Sequence, residues 1–213
     1  MPPPRDLLRF SPAERWLHRS VAVLMSICLG TAAALYLDPV SALIGRRHLM
    51  ATIHLTSGLL LPLPILIGLA AVPEFRADVR RLNRFLPGDW RWLRSAQRRD
   101  GSIPSGKFNA GQKLHAAYLL GAIIVMFVTG LMLHFFAPLP VSVRTGATFV
   151  HDLFATALVV STAGHLWMAS RDPEARRGMR TGEVTRSWAQ QEHALWEAAE
   201  QGPAGREGDA PPT

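Results

Sequence analysis

Four stretches of this 213-residue chain contain no Lys, Arg, Asp or Glu: Ser20–Leu37, His48–Pro73, Leu114–Val143 and Leu153–Ser170. Each reaches the ~18 residues that mark a membrane-spanning helix. Helices buried in soluble proteins are usually shorter, so the pattern predicts an all-α, integral membrane four-helix bundle. The first stretch offers small residues at Thr31–Ala34 that imitate a signal-peptide cleavage site. It is long, a patterned segment with a histidine precedes it, and three more apolar stretches follow, so it reads as a span.

Local signals set the boundaries. Ser11 is a good N-cap, Pro12 suits the first helical position and Glu14 completes an S-x-x-E capping box. The first helix is expected from about Pro12 to Leu37, stopped by Asp38-Pro39. The second runs from about Arg47 to Ala71, with Pro62 and Pro64 bending it. The third runs from about Ala110 to Phe136, closed by Pro138 and Pro140, and the fourth from Val143 to Met168. Between the second and third lies a surface helix, Phe75–Phe85, followed by Trp90 and Trp92, whose amphipathic rings suit a headgroup layer. The division is a 1–10 arm, an 11–172 bundle and a 173–213 tail, with a short helical segment at Ser187–Glu200 and disorder at Met1–Pro4 and Gln201–Thr213.

Charge then orients the spans. The chain holds 23 Lys and Arg against 16 Asp and Glu, a net charge of +7. Arg5, Arg9, Arg15 and Arg19 precede or open the first span. Arg76, Arg80, Arg81, Arg84, Arg91, Arg94, Arg98, Arg99, Lys107 and Lys113 fill the middle loop. Arg171, Arg176, Arg177, Arg180 and Arg186 follow the last span. The other two loops carry only Arg46, Arg47 and Arg144. Such segregation places the basic segments, and both termini, in the cytoplasm. It also accounts for the charge without nucleic acid as a partner. The single cysteine, Cys28, supports no disulfide, zinc or iron–sulfur site within the chain.

Eight histidines are present, and four share a depth. His18 lies seven residues after Ser11, His54 seven after Arg47, His151 seven after Arg144 and His165 six before Arg171. Each is therefore ~10 Å inside a helix end. His151 and His165 lie 14 residues apart on one span, facing roughly the same way and separated by ~21 Å along its axis. His54 and His151 fall at one membrane level, His18 and His165 at the other. Two imidazoles at one level on facing helices suit the axial positions of one haem iron. A bis-imidazole iron keeps no free site, which favours electron transfer over oxygen chemistry. Gly58, one turn after His54, leaves room for a flat macrocycle. No C-x-x-C-H motif is present, so the expected cofactors are two haem b groups rather than haem c. His48 and His134 read as interfacial, His193 as an exposed tail residue, and His115 as a possible contact for a ligand or haem propionate. Arg15 and Arg19 could pair with propionates or with lipid phosphates. Asp152 is unusual at its depth and points about 100° away from His151.

The stretch Gly106-Lys-Phe-Asn-Ala-Gly-Gln-Lys113 precedes the third span. Asn109 and Gln112, with the backbone near Gly111, offer hydrogen-bond donors for a quinone headgroup. The same residues also read as an ordinary N-terminal cap, and local chemistry leaves both readings open.

Five features together give the chain a family likeness. They are Phe10-Ser-Pro-Ala-Glu-Arg-Trp-Leu-His18, His54-x-x-x-Gly58, the Gly106–Lys113 stretch, the His151/His165 spacing and Gly178-Met-x-x-Gly182-x-Val184-x-Arg186-x-Trp188-Ala189. The chain resembles the membrane-anchored cytochrome b (gamma) subunits of respiratory formate dehydrogenases over about residues 9–200. The resemblance implies two b haems, with His54 and His151 as the periplasmic ligands and His18 and His165 as the cytoplasmic ones. It implies a menaquinone or ubiquinone site at Asn109, Gly111 and Gln112. It also implies as partners an iron–sulfur (beta) subunit and a molybdenum or tungsten catalytic (alpha) subunit that oxidises formate, in the bacterial inner membrane. The pattern departs at Ala155, where related chains often carry glycine.

Three functions compete. The first is an electron relay from a periplasmic iron–sulfur partner of formate dehydrogenase, or of another oxidoreductase such as a hydrogenase or thiosulfate reductase, to quinone. The second is a haem-free membrane anchor. The third is a small transporter with a histidine proton relay. Depth-matched pairs favour the first, and the scarcity of carboxylates in the spans disfavours the third.

Overall fold

The computed structural model describes residues 6–96 and 102–201; the Met1–Pro4 end and all but the first residue of Gln201–Thr213 lie outside them. Eleven helices and one two-stranded sheet are seen among the described residues. The described residues fall into two compact units, 13–76 with 118–168, and 6–12 with 77–96, 102–117 and 169–201.

Four helical segments are long and apolar enough to cross a membrane, Pro12–Tyr36, Arg47–Ala71, Ala110–His134 and Val141–Ser170, and the greater part of each lies in the first unit. A 25-residue helix is ~37 Å long and a bilayer core ~30 Å thick, so each can cross it. The first is α1 (Pro12–Tyr36). Asp38-Pro39 ends it as expected, but a proline that stops one helix can open another. Pro39 sits in the first turn of a short α2 (Asp38–Ile44), which closes on Gly45 at φ 63°. The second span is two pieces, α3 (Arg47–Leu60) and α4 (Leu63–Ala71). Leu61 (φ −58°, ψ −38°) and Pro62 (φ −70°, ψ −22°) remain helical between them. The span is interrupted at the prolines, which remove amide donors there. The third and fourth spans are α7 (Ala110–His134) and α8 (Val141–Ser170), the latter two residues longer at each end than the expected Val143–Met168.

Inside this unit Met25 of α1, Leu61, Ala122 and Ile123 of α7, and Leu158 of α8 form the buried core. Val23, Leu66, Ile124, Val160 and Trp167 are exposed. In water that distribution would be costly, whereas lipid acyl chains solvate it. Gly68 of α4 is close-packed: a Cβ there would come within 2.6 Å of Phe75 and 2.7 Å of Leu17.

The second unit gathers the segments that charge assigns to one side. Leu7–Leu8 (β1) pairs antiparallel with Glu183–Val184 (β2), Leu7 opposite Val184. Two residues are too few for a period-2 pattern, so this sheet has no sequence signal. The surface helix is α5 (Pro73–Leu82), and α6 (Pro87–Arg94) follows it. Trp90 is exposed, but Trp92 is buried at 7% exposure rather than interfacial. It packs where a Cβ on Gly111 would come within 3.3 Å of it. The tail forms α9 (Pro173–Thr181), α10 (Arg186–Glu192) and α11 (Ala194–Glu200). Asp172 Oδ1 caps α9 by accepting from the Ala175 amide at 2.9 Å. Val184, Ala189 and Trp196 make the buried cluster of this unit.

Candidate functional site

The two depth-matched histidine pairs meet. The ring centroids of His54 on α3 and His151 on α8 are 6.3 Å apart, with 67° between the planes. Those of His18 on α1 and His165 on α8 are also 6.3 Å apart, with 50° between the planes. The repeated distance has a chemical meaning. Metal–imidazole bonds are about 2 Å long. A ring nitrogen lies ~1.1 Å from the ring centre, given ring bonds of ~1.33 Å. Two imidazoles bound to opposite faces of one metal therefore have centroids about 6.3 Å apart. Both pairs stand at that span.

Two ligands do not satisfy a bare ion. Among the described residues there is no group of three or more His, Cys, Asp or Glu suited to holding one. The pairs instead suit a metal that brings its own equatorial ring, as haem iron does. Gly58 is consistent with such a ring, because a Cβ built there would meet nothing within 4 Å. His54 and His151 are half-buried, while His18 and His165 present exposed edges.

At the His54 level the other two long helices add hydroxyls. Thr31 Oγ1 on α1 lies 3.0 Å from His54 Nδ1, and the Cys28 carbonyl lies 3.2 Å from the same nitrogen. Thr129 Oγ1 on α7 lies 2.9 Å from His151 Nδ1. Both threonines are 7% exposed. The sequence reading missed them because a single threonine in a span is common and its partner is remote in the chain.

The Asn109–Gln112 stretch forms a reciprocal cap at the start of α7. The Gln112 amide donates to Asn109 Oδ1 at 3.0 Å, and the Asn109 amide donates to Gln112 Oε1 at 3.0 Å. Backbone N–H groups only donate, so both side-chain oxygens must face the cap, leaving the two NH2 groups outside it. Gly111 sits between them against Trp92. The flanking lysines are braces. Lys113 Nζ is 2.7 Å from Asp89 Oδ2 and donates to the Arg84 carbonyl at 2.9 Å. Lys107 Nζ is 2.6 Å from Asp78 Oδ2, whose other oxygen accepts from Arg81 at 2.6 Å.

His193, expected to be exposed, is 1% exposed. It links α10 to α11, and its Nδ1 donates to the Gly106 carbonyl at 2.7 Å. Its Nε2 accepts from Arg9 Nη2 at 3.0 Å. A carbonyl only accepts and a guanidinium only donates, so the ring is held in one neutral tautomer. Local spacing gave no signal for this, because both hydrogen-bond partners are remote in the chain. Arg9 also donates to the Lys107 carbonyl at 3.0 Å and lies over the Trp188 ring. Burial pushes its guanidinium down to about 10, opposed by the charges of Asp172, Asp78 and Glu192. Of the remaining histidines, His48 and His134 are exposed and His115 is half-buried, as is Asp152.

A bundle of four membrane-crossing helices with imidazoles paired at two levels defines a membrane cytochrome b. The family model described as prokaryotic cytochrome b561 matches residues 9–182. The chain belongs to the prokaryotic cytochrome b561 family, whose members bind haem b and carry electrons, and is a multi-pass protein of the bacterial inner membrane. Curated relatives include the cytochrome b556(Fdn) subunit of nitrate-inducible formate dehydrogenase from Escherichia coli strain K12, 31% identical over 94 residues. The same subunit from E. coli O157:H7 and from Shigella flexneri matches equally, at 31% over 94 residues. Each match covers 43% of this chain and 43% of the relative's length.

Proposed function

We propose that the chain is the membrane-anchoring di-haem cytochrome b subunit of a formate dehydrogenase, passing electrons from a periplasmic iron–sulfur partner across the bilayer to quinone. The observation that carries the reading is the 6.3 Å separation common to both histidine pairs. In it, His54 and His151 are the periplasmic haem ligands, His18 and His165 the cytoplasmic ones. A haem at each level supplies a one-electron carrier. With both imidazoles of a pair as its ligands, a haem iron would have no open position for oxygen or substrate, which suits electron transfer. The two levels lie ~21 Å apart along α8.

The quinone would sit against the α7 cap. Four successive crossings put the starts of α1 and α7 and the end of α8 on one side, which the charge bias makes cytoplasmic. Because the cap engages the side-chain oxygens of Asn109 and Gln112, their NH2 groups are the donors turned away from it. Donors match the carbonyl oxygens of an oxidised quinone better than the hydroxyls of a quinol, the preference a quinone-reducing site needs. Reduction takes two electrons and two cytoplasmic protons per quinone, so charge is separated across the membrane. The relatives are named as cytochrome subunits of a formate dehydrogenase; in this reading formate oxidation would belong to a molybdenum or tungsten alpha subunit, through an iron–sulfur beta subunit, the partners the family resemblance implies.

The test is a dithionite-reduced minus oxidised spectrum with a pyridine haemochrome assay on the purified chain. Two b-type haems per chain are expected. A folded chain expressed with ample haem yet carrying none would overturn the relay.

A further inference from the structure

Resting on the haem-ligand reading just given, we infer that Thr31 and Thr129 are the positioning residues of the His54/His151 pair, each fixing one imidazole's tautomer and strengthening it as an iron ligand. The argument starts from the hydroxyl proton. A threonine hydroxyl has one proton to give. Thr31 Oγ1 lies 2.7 Å from the Ile27 carbonyl, and Thr129 Oγ1 lies 2.7 Å from the Val125 carbonyl, one helical turn back in each case. Carbonyls cannot donate, so each hydroxyl spends its proton there and turns a lone pair outward. The group it faces must then donate. At both sites that group is an imidazole Nδ1, at 3.0 Å and 2.9 Å. The Cys28 carbonyl 3.2 Å from His54 Nδ1 demands the same proton independently.

Both rings are thus Nδ1–H imidazoles with the Nε2 lone pair free for a metal. The arrangement repeats between helices: α1 holds the ligand of α3, and α7 holds the ligand of α8. The two hydroxyls are buried, so nothing from solvent competes for the Nδ1 protons. An acceptor behind a ligating histidine fixes the ring and raises its basicity, and losing it typically costs 10–100-fold in metal affinity. A more basic imidazole favours the oxidised iron, so the hydroxyls lower the reduction potential at this level.

Thr→Val keeps the shape and removes the acceptor. In the purified holoprotein, Thr31→Val and Thr129→Val should each weaken haem retention about tenfold and raise the midpoint potential at this level. The rise would be about 59 mV for each tenfold loss in preference for the oxidised over the reduced iron. The other level should keep its spectrum and potential. Thr31→Ser and Thr129→Ser, which restore the hydroxyl, should return both properties toward wild type. Ala variants repeat the measurement if a Val variant does not accumulate. Unchanged retention and potential in the Val or Ala variants, or equal shifts in Ser and Val, would overturn the inference. His54→Ala run in parallel separates the two levels of argument. If it leaves both haems intact, the ligand assignment itself fails; if it removes one haem while the threonine variants do nothing, only the positioning role fails.

Discussion

Lys113, in the stretch read as a candidate quinone site, is a brace on this structure, and a double-mutant cycle with Asp89 tests that. The ammonium is 2.7 Å from Asp89 Oδ2, and the two side chains are 6% and 9% exposed. Removing one partner of a buried pair strands the other charge, at a cost of about 3–5 kcal/mol. In Lys113→Met the Asp89 carboxylate keeps one donor, the Leu86 amide at 2.7 Å, so the lower part of that range, about 3 kcal/mol, is expected. In Asp89→Leu the ammonium keeps only the Arg84 carbonyl and the face of the Phe85 ring, and the loss should be similar. The double variant strands no charge and forfeits mainly the helix-start acceptor for Leu86, worth about 1 kcal/mol. The two single losses should therefore fail to add by about 5 kcal/mol.

The measurement is hydrogen exchange of the α6 amides, with thermal unfolding of the detergent-solubilised holoprotein as a check. Coupling within about 0.5 kcal/mol of zero would mean that the pair contributes nothing beyond independent sites. A second result would refute the reasoning in another way. If Lys113→Met stopped quinone turnover while α6 exchanged as slowly as in wild type, the lysine would be acting on the quinone itself rather than holding the cap.

His151→Ala should remove one b-type haem and leave the His18/His165 level spectrally intact; retention of both haems would reject the ligand pairing. Asn109→Ala should slow quinone reduction in the assembled complex while both haems still accept electrons from the donor, and unchanged turnover would place the quinone elsewhere. Its cap loss, about 1 kcal/mol, should appear as faster exchange at the Gln112 amide. Glu174 gives a pH dependence. Its partial burial pushes the carboxyl up, but hydrogen bonds from Arg177 and the Thr185 amide, with the Arg177 charge, outweigh this and hold it below the usual carboxylate value. A folded pKa below the unfolded one contributes stability above the unfolded value that is lost as pH falls through the folded one. The protection of the Thr185 amide, measured relative to its intrinsic exchange rate at each pH, should then fall as pH drops below about 4.3, and Glu174→Gln should flatten that dependence.

How much of this was legible in the sequence depends on the range of each interaction. The spans were legible because a membrane imposes its constraint residue by residue: absence of charge over ~18 positions is enough. The histidine pairing was legible because depth in a membrane acts as a shared coordinate. His54 and His151 are 97 positions apart, yet each is seven residues from an arginine at the membrane edge. The Asn109–Gln112 cap was legible as one of two options, since its bonds span three residues. What could not be read lacks either a period or a common coordinate. Trp92 and His193 were placed by composition at the surface, but Trp92 is buried where Gly111 makes room, and His193 is held by Arg9 and the Gly106 carbonyl. The β1–β2 pairing joins two dipeptides across more than 170 residues. Thr31 and Thr129 are the most consequential case. In a span a threonine usually bonds back to its own helix, and both do. That ordinary bond exhausts the hydroxyl proton and turns each threonine into an acceptor for a histidine on another helix.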